Sequence, residues 1–158
     1  MAHEYIAKVS WSRGDEPFID NKYSRGHLWT FDGGISVPGS SAPSSVPLYS
    51  KADAVDPEEA LVASVSSCHM LFFLAFCALK GFRVDSYIDD AIGTMTKNER
   101  GKLYISQVAL KPVITFSGEK KPDAETIAKL HHRAHEECYI ANSLRADVEL
   151  IPTDPIYA

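Results

Sequence analysis

Three observations in the sequence predict an α+β fold. Extended stretches and helical patterns alternate in the order strand, helix, hairpin, helix, strand. The first helical pattern carries both a start and a stop signal. Between the helices, Asn98-Glu99-Arg100-Gly101 separates two long runs of strand formers and marks a hairpin. Helices packed on a largely antiparallel sheet follow from that order.

Taken in order, Tyr5 to Trp11 reads as an early strand, and His27 to Phe31 as a second, closed by the turn residues Asp32-Gly33-Gly34. Residues 36–56, rich in Ser, Pro and Ala, read as an ordered surface loop. Asp56 then caps a helix: Pro57 suits its first position and Glu59 completes a capping box. Leu61, Val65, Cys68, Phe72, Phe76 and Leu79 recur at helical steps, and Lys80-Gly81 supplies the stop. Met70, Phe73 and Leu74 make this helix apolar on most sides, so it is expected to be enclosed by a sheet and a second helix or by a partner chain. Val84–Met95 and Lys102–Phe116 read as two long strands, with Pro112 where no ladder N–H is needed. Pro122-Asp123 opens a second helix, with Ile127, Leu130, Ala134 and Cys138 toward the core. Arg145–Ile151 is the closing strand.

The 158 residues suffice for one domain, 1–158, with a sizeable core, and 45% hydrophobic with 23% charged residues is ordinary globular composition. A net charge of -5 without Lys/Arg tracts argues against nucleic acid or an anionic membrane as a general partner. The longest apolar run, Met70–Leu79, is ten residues, short of a bilayer span, and the N-terminus lacks the pattern of a signal peptide. Three widely spaced cysteines do not form a secreted disulfide framework, which makes a reducing cytoplasm the expected setting. No GxGxxG or Walker loop is present, and no cofactor is expected.

The chemistry is concentrated in two cysteines, Cys68 and Cys138, which lie 70 positions apart. A cysteine reacts as its thiolate, and that form needs a nearby cation or helix N-terminus to be populated. Cys68, in mid-helix, gains little from the helix end, and a mid-helix cysteine is most often an inert core residue. Ser66, Ser67 and His69 nevertheless interrupt the apolar stretch around it, with His69 turned about 100° away and read as a packed or interfacial side chain. Glu58 precedes Cys68 by ten residues, roughly 15 Å along a helix, too far to touch the sulfur. An arginine between them would serve carboxylate and thiolate together, and Arg25 is the candidate, although composition favours an exposed loop arginine. Cys138 ends the polar run His131-His132-Arg133-Ala134-His135-Glu136-Glu137 and is expected to be partly exposed, able to attack an oxidised Cys68. Cys77 reads as a core filler. His131, His132, His135 and Cys138 are ligand types that zinc accepts, but no HExxH pattern accompanies them, and a metal is the minor alternative.

The segment Asp56-Pro57-Glu58-Glu59-Ala60-Leu61-Val62-Ala63-Ser64-Val65-Ser66-Ser67-Cys68-His69-Met70 resembles the first cysteine helix of the OsmC/Ohr family of thiol-dependent peroxidases. Ala134-His135-Glu136-Glu137-Cys138-Tyr139-Ile140-Ala141-Asn142-Ser143 resembles the second cysteine motif of that family. Tyr23-Ser24-Arg25-Gly26-His27 with Phe31-Asp32-Gly33-Gly34 looks like the N-terminal motif of the OsmC-like branch. The resemblance covers nearly the whole chain. It implies largely antiparallel sheets wrapped around two central helices in an intertwined homodimer, with active sites at the interface. It also implies organic hydroperoxide as substrate, Cys68 as peroxidatic and Cys138 as resolving thiol, Glu58 as the family's carboxylate and Arg25 as the activating arginine. A dithiol, lipoyl-type in the Ohr branch, would be the reductant. Tyr139 after Cys138 departs from the Ohr-like cysteine-proline pattern, which bears on reductant and preferred peroxide. A non-catalytic small-molecule-binding or stress-related dimer using the same cleft is the alternative.

Overall fold

Asp56 and Glu59 begin the helix on which the rest is hung. The Glu59 amide donates to Asp56 Oδ1 at 2.8 Å, and the Asp56 amide donates back to Glu59 Oε2 at 3.2 Å. This is the reciprocal capping box expected from the sequence, and it opens helix α1 (Pro57–Lys80). At the other end Gly81 takes φ +76, the Gly81 amide donates to the Ala78 carbonyl and the Phe82 amide to the Cys77 carbonyl. That Schellman closure needs the left-handed conformation glycine adopts without a Cβ clash.

The computed structural model describes residues 2–158. The chain divides into two compact units, one ending at Ala60 and the other Leu61–Ala158. The first holds a three-stranded antiparallel sheet, β1 (Ala7–Ser10), β2 (His27–Phe31) and β3 (Ser36–Gly39), in the order β1-β2-β3. β3 falls in the segment expected to be loop: Trp29 pairs with Val37, so four of those residues extend the sheet.

The second unit carries most of α1, helix α2 (Ala124–Glu137) and two further sheets. The two long strands expected from the sequence are each broken. Val84–Met95 becomes β4 (Arg83–Asp89) and β5 (Ile92–Lys97), while Lys102–Phe116 becomes β6 (Leu103–Leu110) and β7 (Pro112–Ser117). The halves part into different sheets, β4-β7-β9 and β5-β6-β8, where β8 is Asp147–Leu150 and β9 is Ile156–Tyr157. The hairpin at Asn98–Gly101 is present, with the Asn98 amide donating to the Lys102 carbonyl at 2.9 Å. Pro112 starts β7 opposite the last residue of β4, where its missing N–H costs no ladder bond. The β4–β7 and β5–β6 pairings are antiparallel, whereas β8 and β9 join their sheets in parallel.

Two helices packed on three-stranded sheets make this an α+β fold. Phe73, Phe76 and Cys77 of α1 meet Ile114 and Phe116 of β7 and Leu130 and Ala134 of α2 in one apolar cluster. Val65 of α1 meets Val108 and Leu110 of β6 in a second. At Gly93 a Cβ would sit 2.5 Å from Val62 Cγ2, so glycine lets α1 lie directly on β5. The buried face of α1 is therefore Val65, His69, Phe73, Phe76 and Cys77, rotated from the stripe read in the sequence; Leu79 is 80% exposed. Because the helix is apolar nearly all round, periodicity could not fix which face turns inward. By length and composition alone α1 is apolar enough to cross a membrane, yet these five residues pack into the protein core. Replacing Asp56 with Ala removes one side of the capping box and should lower unfolding stability by about 1 kcal/mol, read as a lower urea midpoint; an unchanged midpoint would show that the box contributes nothing.

Candidate active site

Helix α2 brings the second cysteine to the first. Asp123 caps it, its Oδ1 accepting from the Thr126 amide at 2.8 Å, and Ile127, Leu130, His131 and Ala134 form its inner face. Cys138 is the C-cap residue, its amide donating to the His135 carbonyl at 3.3 Å. A short 3-10 turn, Ala141–Ser143, then folds back on it. The Ala141 amide donates to Cys138 Sγ at 3.4 Å, and Asn142 donates to the Cys138 carbonyl from its amide at 3.0 Å and from Nδ2 at 3.1 Å. Held in this way, the Cys138 thiol lies near that of Cys68, and both are free thiols.

The two thiols differ in exposure. Cys68 is half-buried, whereas Cys138 is fully buried, contrary to the partial exposure expected from the polar run before it. All of that run but His131 and Ala134 lies along the outer face of an amphipathic helix, and Cys138 after it turns in under the 3-10 turn. Burial raises the Cys138 thiol above its ordinary range; the Ala141 amide acts against the rise and Cys68 adds to it. Cys77 is buried and pushed up to about 12 by desolvation, as a core filler should be. Phe72, one turn after Cys68, meets Tyr139 edge to face at 5.1 Å. One ring lies a turn after Cys68 and the other follows Cys138, and both add apolar surface there.

The polar residues around Cys68 are tied to groups that sequence reasoning missed. Ser66 Oγ donates to Asp89 Oδ2, and the Lys111 amide donates to Asp89 Oδ1 at 2.6 Å. Asp89 thus fastens the turn before Cys68 to the corners where β4 ends and β7 begins. His69 is packed, as expected, and its partner is His131: Nε2 of His69 lies 2.9 Å from Nδ1 of His131, with ring centroids 5.2 Å apart. His131 also stacks on Phe73 at 4.0 Å. The sequence signal for His131 was its spacing, four after Ile127 and three before Ala134 on the buried stripe of α2. His132, by contrast, is exposed beside Glu136 at 3.4 Å, and no group of three or more His, Cys, Asp or Glu is arranged to hold a metal among the described residues.

The other two predicted site residues lie in the N-terminal unit. Arg25 is anchored there: Nη2 donates to Asn21 Oδ1 at 2.8 Å and to the Asn21 carbonyl at 3.0 Å, Nη1 donates to the Tyr23 carbonyl, and the guanidinium covers the Tyr23 ring at 3.7 Å. Glu58 is half-buried in the first turn of α1, where a carboxylate suits the helix dipole.

A capped apolar helix and a second helix that carry two neighbouring cysteines, on this order of strands, mark a class of α+β proteins. The family model described as OsmC-like protein matches residues 50–152. An OsmC-like protein of unknown function from Vibrio cholerae is 45% identical, with 98% of this chain and 100% of that one covered and a TM-score of 0.93. An OsmC-like protein from Mycoplasma pneumoniae shares the fold at 13% identity and TM-score 0.74, covering 99% of each chain. The organic hydroperoxide resistance protein OhrB of Bacillus subtilis does so at 18% identity and TM-score 0.60, covering 98% of each. No curated protein matches the sequence. The chain belongs to the OsmC-like family, as the cysteine segments indicated.

Burial holds both histidines of the pair well below the usual 6.5, His69 at about 4 and His131 at about 3. His135 lowers His69 further and Asp89 partly opposes this, while His69 lowers His131. The unfolded chain therefore binds more protons than the native one between these values and 6.5, and stability rises with pH across that window. The urea midpoint should fall as pH drops from 7 to 5, and His69→Gln/His131→Gln should flatten the dependence; equal slopes in both proteins would contradict this assignment.

Proposed function

We propose that the protein is a thiol-dependent peroxidase that reduces organic hydroperoxides to alcohols. The observation that carries this reading is the proximity of two free thiols from distant parts of the chain. Family membership and the likeness to organic hydroperoxide resistance proteins support it. The unequal exposure of the thiols supports the order of events. Cys68, the more accessible, attacks as thiolate at the distal oxygen of ROOH; the O–O bond breaks, ROH leaves with a proton, and Cys68 becomes a sulfenic acid. Cys138, held protonated by burial until then, gives up its proton and attacks the Cys68 sulfur. The S–O bond breaks, water departs and a Cys68–Cys138 disulfide remains. A dithiol of the lipoyl type then restores both thiols by exchange, which suits a reducing cytoplasm.

Arg25 is assigned to stabilise charge on the reacting oxygens and Glu58 to orient it, on motif position. The aromatic pair Phe72–Tyr139 supports a preference for peroxides with an apolar substituent. The chain is assigned as one domain that works as a homodimer. Apolar residues left open on α1, Leu71 at 61% and Leu79 at 80% exposed, support a second copy as the partner.

One equivalent of cumene hydroperoxide should consume two thiols per chain and yield a Cys68–Cys138 linked peptide by mass spectrometry. Cys138→Ser should stop at a trappable sulfenic acid, and Cys68→Ser should leave the peroxide intact. Arg25→Ala should slow the first step by about 10- to 100-fold, the loss of one charge-assisted hydrogen bond. Thiols unchanged after an hour would reject the reading.

A further inference from the structure

Behind His131 lies a partly enclosed cavity of about 230 Å³ between α2, the start of β7 and the segment after β8. Its walls include Pro112, Ile114, Ile127, Ile151 and Pro152, and neither Cys68 nor Cys138 lines it. Thr153 also lines it, but its hydroxyl is spent on the Pro112 carbonyl. His131 is only 5% exposed, and its Nδ1 is taken by His69. Its Nε2 has no hydrogen-bond partner among the described residues. The fully buried ring nitrogen without a partner is Nδ1 of His69, whereas Nε2 of His131 keeps some exposure, and the cavity that His131 lines is a space from which a hydrogen-bond partner can reach it.

The surroundings define the chemistry of that partner. No cation lines the cavity, and the exposed Asp154 among its lining residues disfavours an anion. Burial keeps both histidines neutral near pH 7. With Nδ1–H on His131 donating to His69, Nε2 of His131 accepts; with the proton on His69 Nε2, Nε2 of His131 donates. A hydroxyl can answer either tautomer. A cavity of about 150 Å³ holds benzene, so this one has room for a single substituted ring.

We propose that this cavity is a binding site, separate from the thiol pair, for a small neutral molecule with an apolar ring-sized body and one hydroxyl group directed at Nε2 of His131. The body displaces water from the proline and isoleucine walls, and the hydroxyl supplies the hydrogen bond that the protein leaves unmade.

p-Cresol is the probe, followed by NMR of the full chain labelled with 15N-histidine, with toluene as the analogue lacking the hydroxyl. Saturable binding with a shift of the His131 Nε2 resonance is expected, and toluene should bind about 3- to 10-fold more weakly, the worth of one net hydrogen bond. Ala128→Phe, which fills the cavity from α2, should weaken p-cresol at least about tenfold. It should leave thiol loss with cumene hydroperoxide unchanged, so failure of the peroxidase reading is seen separately. If Ala128→Phe does not fold, Ala128→Leu must show the same direction. No saturable binding at millimolar p-cresol, equal affinity for toluene, or undiminished binding by the filled variant would overturn the proposal.

Discussion

The fit of α2 against α1 is the constraint on which the rest of the structure depends. A hydrogen bond and a close approach define it: His69 to His131, and Cys68 near Cys138. Each takes one of two neighbouring residues on α1 to a point on α2 or its C-cap, about two turns apart on the second helix. Phe73, Phe76, Leu130 and Ala134 fill the space between the helices and β7 with apolar surface. The histidine contact is a polar one in that packing, so both rings stay neutral and the shared hydrogen bond specifies how the helices meet.

The same packing separates the properties of three chemically identical side chains. Cys77 and Cys138 are both buried, and both are pushed toward the protonated form. Cys77 is enclosed by Phe73, Phe116 and their neighbours, whereas Cys138 has a second thiol against it and a turn of backbone amides around it. Cys68 keeps partial exposure on a helix fixed by the capping box at one end and by Ser66 on Asp89 in the middle. Of the two neighbouring sulfurs, one is thus accessible and the other sheltered.

Local signals carried much of this into the sequence. The capping box of α1, its glycine stop, the Asn98–Gly101 turn and the Asp123 cap are short-range devices, and all four were legible. The strand breaks at Asp90-Ala91 and at Lys111 were not, because a continuous run of strand formers does not disclose where it changes sheets; Asp89 binding the Lys111 amide does. The parallel partners β8 and β9 were hidden for the same reason, since their pairing is non-local. At the site, both cysteines could be found from motif and spacing, but the burial of Cys138 depends on a turn that follows it. His131 was visible as a position on the inner stripe of α2 and hidden as a chemical group, because its neighbours His132 and His135 face outward.

The account stands on the distance between two sulfurs, and a crystal structure of the fully reduced protein measures it directly. The predicted result is Cys68 and Cys138 sulfurs as near neighbours, with the His69–His131 pair in place beside them. Sulfurs more than about 10 Å apart, with no mobile segment able to join them, could not form a disulfide without rebuilding the backbone and would contradict it.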